Sequence, residues 1–171
     1  PADAIVATVN GVEYETLYKA IKASSAAYPA ILQKDYTQKG KLALTSMGVS
    51  VLDLNGKVLT LDYSELETGA AGFVNVYNTN LTIQGTGMIV GNGDILFSMQ
   101  GGSKVASTNY SVLSIGKDVT IRQTAGWYII AASYTTNTYG IVVNFDGKVE
   151  QTQCAFEVVG LLDNTSATAP I

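Results

Sequence analysis

The sequence predicts a single, mostly β domain folded as a short right-handed parallel β-helix (solenoid) with an N-terminal capping helix. Three observations favour this class: one helical period near the N-terminus, short apolar runs broken by turn residues in the rest of the chain, and the recurrence of two of those runs. The length of 171 residues suits about one domain. We assign residues 1–38 to an N-terminal strand, turn and capping helix, residues 39–160 to the β-solenoid, and residues 161–171 to a C-terminal tail.

The N-terminal segment has clear local signals. Residues 4–9 are apolar enough for a strand, and the Asn10-Gly11 pair that follows is a strong signal for a two-residue turn. Residues 13–25 carry apolar side chains at helical spacing, with acidic residues early and lysines later, as the helix macrodipole favours. We therefore expect one helix at 13–25 that faces the core. The lysine-rich stretch 34–41 is predicted to be a solvated connection.

From Leu42 onward the pattern changes to short apolar runs separated by Gly, Asn, Asp, Ser or Thr. No long helical period returns in this part of the sequence. Turn signals about every 8 to 12 residues are typical of a sandwich, a barrel or a solenoid. The predicted strands are residues 42–44, 49–54, 58–61, 73–77, 81–83, 88–90, 95–97, 112–115, 119–121, 128–131 and 141–145.

Internal similarity distinguishes the solenoid from the other two classes. Residues 51–58 (VLDLNGKV) resemble residues 142–149 (VVNFDGKV), and residues 81–87 (LTIQGTG) resemble residues 119–126 (VTIRQTAG). Each coil of a solenoid buries its apolar face only by stacking on the next, so a strand and its turn recur along the chain. A sandwich requires no such recurrence. The similarity therefore favours stacked coils.

Three pieces of the chain, residues 6–21, 52–61 and 115–121, resemble pectate-lyase-like right-handed parallel β-helix modules of gut-bacterial surface proteins and phage structural proteins. In such modules an N-terminal strand, turn and helix cover the end of the coil stack, which would otherwise expose unpaired backbone groups. The resemblance implies architecture more than function. By analogy with phage β-helical proteins, it also implies a homotrimer.

The composition excludes several classes of function. Only 14% of the residues are charged, against about 25% in typical domains, and the net charge is −4 with Arg122 as the single arginine. Nucleic-acid binding and membrane insertion are therefore not expected, because the chain has neither a basic stripe nor a long apolar run. The chain has no histidine, which removes Ser-His-Asp triads and the common zinc sites. Cys154, the only cysteine, is interpreted as a small core thiol.

Carboxylates on one long face would be needed if this β-helix cleaved polysaccharides. A glycosidase uses two carboxylates at a set separation, and a lyase uses calcium ligands with an Arg or Lys base. Asp118 and Asp146 stand in turn sequences, where an aspartate stabilises the turn itself. We predict a non-enzyme with no cofactor and no metal site. The candidates weighed against this prediction are Asp53, Asp62, Asp94, Asp118, Asp146 and Arg122 for catalysis, and Asp62, Glu65 and Glu67 for a cation.

One segment is predicted to make functional contacts. Aromatic residues cluster between residues 125 and 140 and alternate with Thr and Asn. Aromatic side chains among uncharged polar groups suit both sugar faces and protein partners. Filling of the core is the alternative role for the tryptophan. The predicted partner or glycan contacts are Trp127, Tyr128, Tyr134 and Tyr139.

Two functions remain open on the sequence. One is a virion component of a bacteriophage, such as a head decoration, fibre or spike protein, and the other is a secreted bacterial surface adhesin or glycan-binding module. Residues 1–4 contain no basic and apolar leader, which favours the virion. The expected partners are other copies of the chain and a capsid or cell-surface protein, with glycans as a further possibility. The apolar composition itself predicts self-association.

Overall fold

The structure, a computed structural model, describes residues 4–66, 72–101, 111–126, 128–132, 140–151 and 158–159. In this part the chain forms one α-helix, α1 (Leu17–Ala23), a short 3-10 helix (Tyr63–Glu65) and two sheets with mainly parallel pairing, so the protein is mostly β. The strands are β1 (Ala7–Val9), β2 (Val12–Tyr14), β3 (Ala30–Leu32), β4 (Tyr36–Gln38), β5 (Leu42–Asp53), β6 (Val58–Leu61), β7 (Val74–Gln84), β8 (Gly87–Gly91), β9 (Ile95–Gln100), β10 (Ser111–Ile115), β11 (Val119–Gln123), β12 (Tyr128–Ala132), β13 (Ile141–Phe145), β14 (Lys148–Gln151) and β15 (Val158–Val159).

The chain opens with an antiparallel hairpin, in which β1 pairs with β2 and Val9 lies opposite Val12. Asn10 and Gly11 form the predicted two-residue turn with φ angles of 47° and 77°. Positive φ at both central residues is what the favoured hairpin turn requires, and Asn-Gly adopts it readily. The hairpin extends to Tyr14, whose carbonyl oxygen accepts a hydrogen bond from the Val6 N–H at 2.8 Å.

This hairpin corrects the predicted helix at 13–25. Helix α1 begins only after Thr16, whose Oγ1 accepts a hydrogen bond from the Lys19 N–H at 3.3 Å, and its first turn contains no acidic residue. Glu13 lies in β2, so its proposed interaction with the helix dipole was wrong. Pairing with β1 satisfies the backbone of β2, which helical spacing of the side chains alone could not reveal.

Helix α1 packs against one end of the parallel strands. Leu17, Ala20 and Ile21 are buried, and the helix contacts β5 more than any other strand. The Ser24 hydroxyl ends the helix by donating to the Ile21 carbonyl at 2.6 Å and accepts from the Val51 N–H of β5 at 2.9 Å. The helix therefore covers apolar side chains and also one backbone donor of that strand.

The parallel strands stack in three columns. The first column contains residues 42–45 of β5, residues 74–77 of β7, β9, β12 and β15; the second contains β3, residues 48–53 of β5, residues 79–84 of β7, β10 and β13; the third contains β4, β6, β8, β11 and β14. All pairs within a column are parallel. From β3 to β15 the chain visits the columns in one repeating order, second, third, first.

Equivalent side chains lie above one another in these columns. In the second column, Leu52, Ile83, Ile115 and Phe145 are successive register partners, and in the third column Leu59, Ile89, Ile121 and Val149 are. Most of these side chains are fully buried and belong to one hydrophobic core. Alternate residues of each strand face this core because strand side chains have a period of two.

The strand register departs from both predicted recurrences, in a different way for each. Residues 51–58 and 142–149 both cross from the second to the third column, but the register sets Leu52 in line with Phe145, whereas the sequence match had aligned it with Val143. Residues 81–83 belong to the second column and residues 119–121 to the third, so the second recurrence does not join stacked strands. Turns of unequal length shift the register between strands, and sequence similarity does not reveal that shift.

Other strand predictions need correction as well. Residues 42–44 and 49–54 form one strand, β5, with an irregularity between Thr45 and Gly48, and residues 73–77 and 81–83 merge in β7. The stretch 34–41 is not simply a solvated connection, because it contains β4, which pairs with β6. Tyr36 packs against the core while Thr37 faces solvent, so this strand has one buried side despite the lysines around it.

Candidate functional site

The predicted aromatic contact site is described only at Tyr128. Trp127, Tyr134 and Tyr139 lie outside the described residues. Tyr128 opens β12 with a partly exposed side chain, and its N–H donates to the Asp94 carbonyl at 2.7 Å. The first column thus holds Tyr128 firmly at the surface, and the grouping of the four aromatic residues stays a prediction.

A buried glutamine fixes the turn around Tyr128. Gln123 is almost fully buried, and its Nε2 donates to the carbonyl oxygens of Gly93 at 2.8 Å, Tyr128 at 3.1 Å and Asp94 at 3.3 Å. Its Oε1 accepts a hydrogen bond from Gln151 Nε2 at 2.6 Å. One amide group therefore ties the turn between the third and first columns across adjacent coils. The alternation of β11 places Gln123 inward, but its partners Gly93, Asp94 and Gln151, which are 28 to 30 residues away in sequence, could not be found from the pattern.

Tyr63 fills the turn between β6 and β7, which is the equivalent turn two repeats of the column order earlier. Its hydroxyl donates to the Ile95 carbonyl, its ring lies 4.9 Å from that of Phe73 between centroids, and a side chain at Gly93 would collide with the ring. Burial raises the pKa of the Tyr63 phenol, so it stays protonated and acts as a hydrogen-bond donor. This tyrosine has a structural role that sequence analysis missed.

The carboxylates weighed for catalysis lie in or beside five separate turns between strands. Asp53 accepts from the Asn55 N–H at 2.9 Å and from Gln84 Nε2 at 3.3 Å. Asp62 caps the 3-10 helix by accepting from the Ser64 N–H at 2.9 Å, and this bond holds the pKa of its carboxyl below the ordinary value. Asp94 follows β8, and its main-chain carbonyl accepts a hydrogen bond from Gln123 Nε2. Asp118 and Asp146 are exposed in the turns between the second and third columns.

The remaining charged candidates are paired. Arg122 contacts Glu150 at 2.6 Å between Nη2 and Oε2, and Lys39 contacts Glu65 at 3.1 Å. The Glu65 carboxylate raises the pKa of Lys39 through this hydrogen bond. Glu67 lies outside the described residues. Across the residues that are described, no three acidic, cysteine or histidine side chains group as metal ligands would.

The turns between the second and third columns line a shallow open groove, which we call the turn groove. Backbone bonds join successive turns here, for example from Gly56 N to the Thr86 carbonyl at 2.6 Å and from Met88 N to the Lys57 carbonyl at 3.1 Å. Gly85, with φ of 77°, allows this stacking because a side chain there would strike Asp53. The groove is shallow and is lined by charged, polar and apolar residues: Lys57, Val58, Thr86, Met88, Asp118, Thr120 and Lys148.

The C-terminal edge of the stack is formed by β13, β14 and β15. Each of these strands pairs with a single described strand. The core-facing side chains Val143, Phe145 and Val149 are only partly buried, whereas their register partners one coil earlier are at most 1% exposed. Edge strands with free backbone groups readily accept another strand.

Comparison of the chain with protein-family models, with curated proteins and with solved structures found no match. In the described part of the chain, no helix has the length and apolar character needed to cross a membrane. Function therefore has to be argued from the strand columns, the turns and the edge.

Proposed function

We propose that the three columns are the faces of a short right-handed parallel β-helix with α1 as its N-terminal cap. The repeating order of the columns, the parallel pairing within each and the aligned aliphatic side chains support this assignment. Connections between parallel strands are right-handed in about 98% of known cases, which supports the hand. The early resemblance to pectate-lyase-like modules suggests the same architecture.

On this scaffold we propose a non-catalytic structural or binding module. The observation that carries the proposal is the use of its polar side chains: Asp53, Asp62 and Gln123 are committed to hydrogen bonds that hold turns. Lys39 and Arg122 form surface ion pairs. Such residues stabilise a scaffold and leave its surface for contact with partners. The turn groove is lined by one acidic side chain, Asp118, whereas a glycosidase needs two carboxylates. Cleavage of polysaccharide ranks below both binding roles.

The setting we favour is a bacteriophage virion, as a head decoration, fibre or spike protein. A stack with one covered end and one open strand edge suits addition to a larger particle built from capsid protein and further copies of the chain. The alternative setting is the bacterial surface, where an adhesin or glycan-binding module would use the turn groove and the segment around Tyr128. Polar groups on a shallow surface suit the hydroxyl groups of a glycan.

Immunogold electron microscopy of the producing culture separates the two settings. We expect an antibody against this chain to label phage particles released by lysis. Labelling confined to the cell envelope would support the adhesin, and labelling of neither would overturn both.

Incubation with a panel of bacterial polysaccharides tests the non-catalytic assignment. We expect no release of reducing ends and no unsaturated products. If cleavage occurs and Asp53→Asn, Asp94→Asn or Asp146→Asn abolishes it while the variant stays folded, the assignment is wrong.

A further inference from the structure

We propose that the C-terminal edge binds a second copy of this chain, end to end, in a two-fold symmetric dimer centred on β14. The inference rests on the proposed role as a self-assembling module and specifies the surface and geometry of its self-association. It starts from β14, which pairs with β11 alone among the described strands, and from the partly buried Val143, Phe145 and Val149 at the same end.

The opposite end of the stack limits how copies can meet. Helix α1 packs against β5 and strand β1 pairs with the outer edge of β3, whereas β4 has a described neighbour on one side only. A complete C-terminal edge therefore cannot stack on the N-terminal end without displacing the helix and the hairpin. Copies that met head to tail would also continue into an open fibre. Two like ends can meet around a two-fold axis, which closes the assembly at two copies. A two-fold axis reverses strand direction, so the edge strands pair antiparallel, as strands readily do.

The sequence of β14 selects one register for this pairing. Core-facing residues must lie opposite core-facing residues, so the axis has to pass through a residue of the strand. An axis at Lys148 or Glu150 would set identical charges against each other, and an axis at Gln151 would set Glu150 opposite an uncharged threonine. An axis at Val149 sets Lys148 of each copy opposite Glu150 of the other and brings the two Val149 side chains together.

The surroundings of β14 are compatible with this register. Lys148 and Glu150 are exposed on the outer side of the third column, while Val149 faces the core and is partly buried. Arg122, one strand inward, already contacts Glu150 at 2.6 Å, so each acidic side chain would lie between two basic ones. Gln151 adds a buried Oε1 with no hydrogen-bond partner at the same edge. Within the proposed β-helix, the same axis exchanges the other two columns and sets β13 of one copy over β15 of the other.

Sedimentation equilibrium of the full chain over a range of concentrations tests the dimer. We expect twice the 18.0 kDa chain mass. Lys148→Glu creates two like-charge contacts across the axis and is expected to raise the dissociation constant about tenfold or more. Lys19→Glu makes the same charge change at an exposed position of α1, at the N-terminal end of the stack, and should leave the dissociation constant unchanged. Circular dichroism confirms that each variant is folded.

Mixing two weakened variants separates a lost contact from a folding defect. Glu150→Lys should also weaken the dimer, since it sets lysines opposite each other. A mixture of Lys148→Glu chains with Glu150→Lys chains restores opposite charges at both positions, so we expect a heterodimer tighter than either homodimer.

A monomer at all concentrations, a three-chain mass, a dimer insensitive to Lys148→Glu, or no recovery on mixing would overturn the inference. None of these results bears on the immunogold labelling that tests the proposed setting, so the two proposals can fail separately.

Discussion

At the N-terminal end of the strand stack, Ile21 closes the core over Leu42, Leu44 and Leu52, whereas at the C-terminal end Val149 stays partly exposed. The N-terminal helix covers the side chains, and Ser24 supplies a partner for the Val51 N–H. The C-terminal strands have a described neighbour on one side only. A stack of parallel strands has to end both its core and its backbone ladders. At the N-terminal end α1 covers the core, Ser24 and β1 supply partners for β5 and β3, and β4 has a described neighbour on one side only. The difference predicts unequal sensitivity of the two ends to substitution.

The largest effect is expected at the helix that closes the covered end. Ile21→Ala should lower the free energy of unfolding by about 2 to 5 kcal/mol, because it opens a cavity in the core. Ile21 is 1% exposed. Tyr18→Ala on the same helix, where Tyr18 is 40% exposed, should change it by less than about 0.5 kcal/mol. Urea unfolding of both variants measures the difference, and equal losses would show that α1 does not close the core.

The next effect compares one residue type in the middle and at the edge of the stack. Val76→Ala in β7 should cost about 2 kcal/mol, since Val76 is fully buried, while Val149→Ala in β14 should cost about half as much or less. Both are measured by urea unfolding at low protein concentration. If Val149→Ala lowered the free energy of unfolding more than Val76→Ala does at low protein concentration, other residues of the same chain would have to cover the edge. A loss that grows with protein concentration would support the dimer.

The sequence predicted strands with apolar runs better than the short polar strand β4 and the start of the helix. Strands β6 and β13 were predicted with the bounds that the structure gives, because their apolar runs are flanked by turn residues. Strand β4 was missed, since its three residues stand among lysines and only the pairing with β6 makes them a strand. The helix start was placed too early because Tyr14 satisfies both the helical spacing and the hairpin.

The candidate site was less predictable than the fold. The turn held by Gln123 joins Gly93, Asp94, Tyr128 and Gln151, which come together only after parallel strands separated by unequal lengths of chain have paired. The position of β14 at the edge of its sheet also depends on which strands pair with it, and the residues of β14 alone do not determine that. Composition did indicate an uncharged surface, and the aromatic segment stays a prediction beyond Tyr128.

A smaller effect is expected at two serines near the covered end. Alanine substitutions there should change the free energy of unfolding in opposite directions. Ser50 is fully buried, its Oγ has no hydrogen-bond partner, and its register partners in the second column, Leu81, Leu113 and Val143, are apolar. Ser50→Ala should therefore raise the free energy of unfolding by up to about 1 kcal/mol. Ser24→Ala removes an acceptor from the Val51 N–H and should lower it by about 1 kcal/mol. Thermal unfolding of the pair checks both signs, and a loss at Ser50 would reveal a partner for its hydroxyl.

The smallest effect is expected at Asp62, in a turn between the two ends. The Ser64 N–H lowers the pKa of this carboxyl from its ordinary value of 3.8, so the ionised form is favoured more in the folded than in the unfolded chain. Its contribution to stability is therefore complete above pH 3.8 and is lost as the pH falls below that value through the folded pKa. Asp62→Asn removes this titration, so its free energy of unfolding should depend slightly less on pH in that range than that of the native chain. Urea unfolding in a pH series compares the two. Identical pH dependence would show that the Ser64 N–H does not favour the ionised carboxylate, and a difference extending to neutral pH would point to another titrating group.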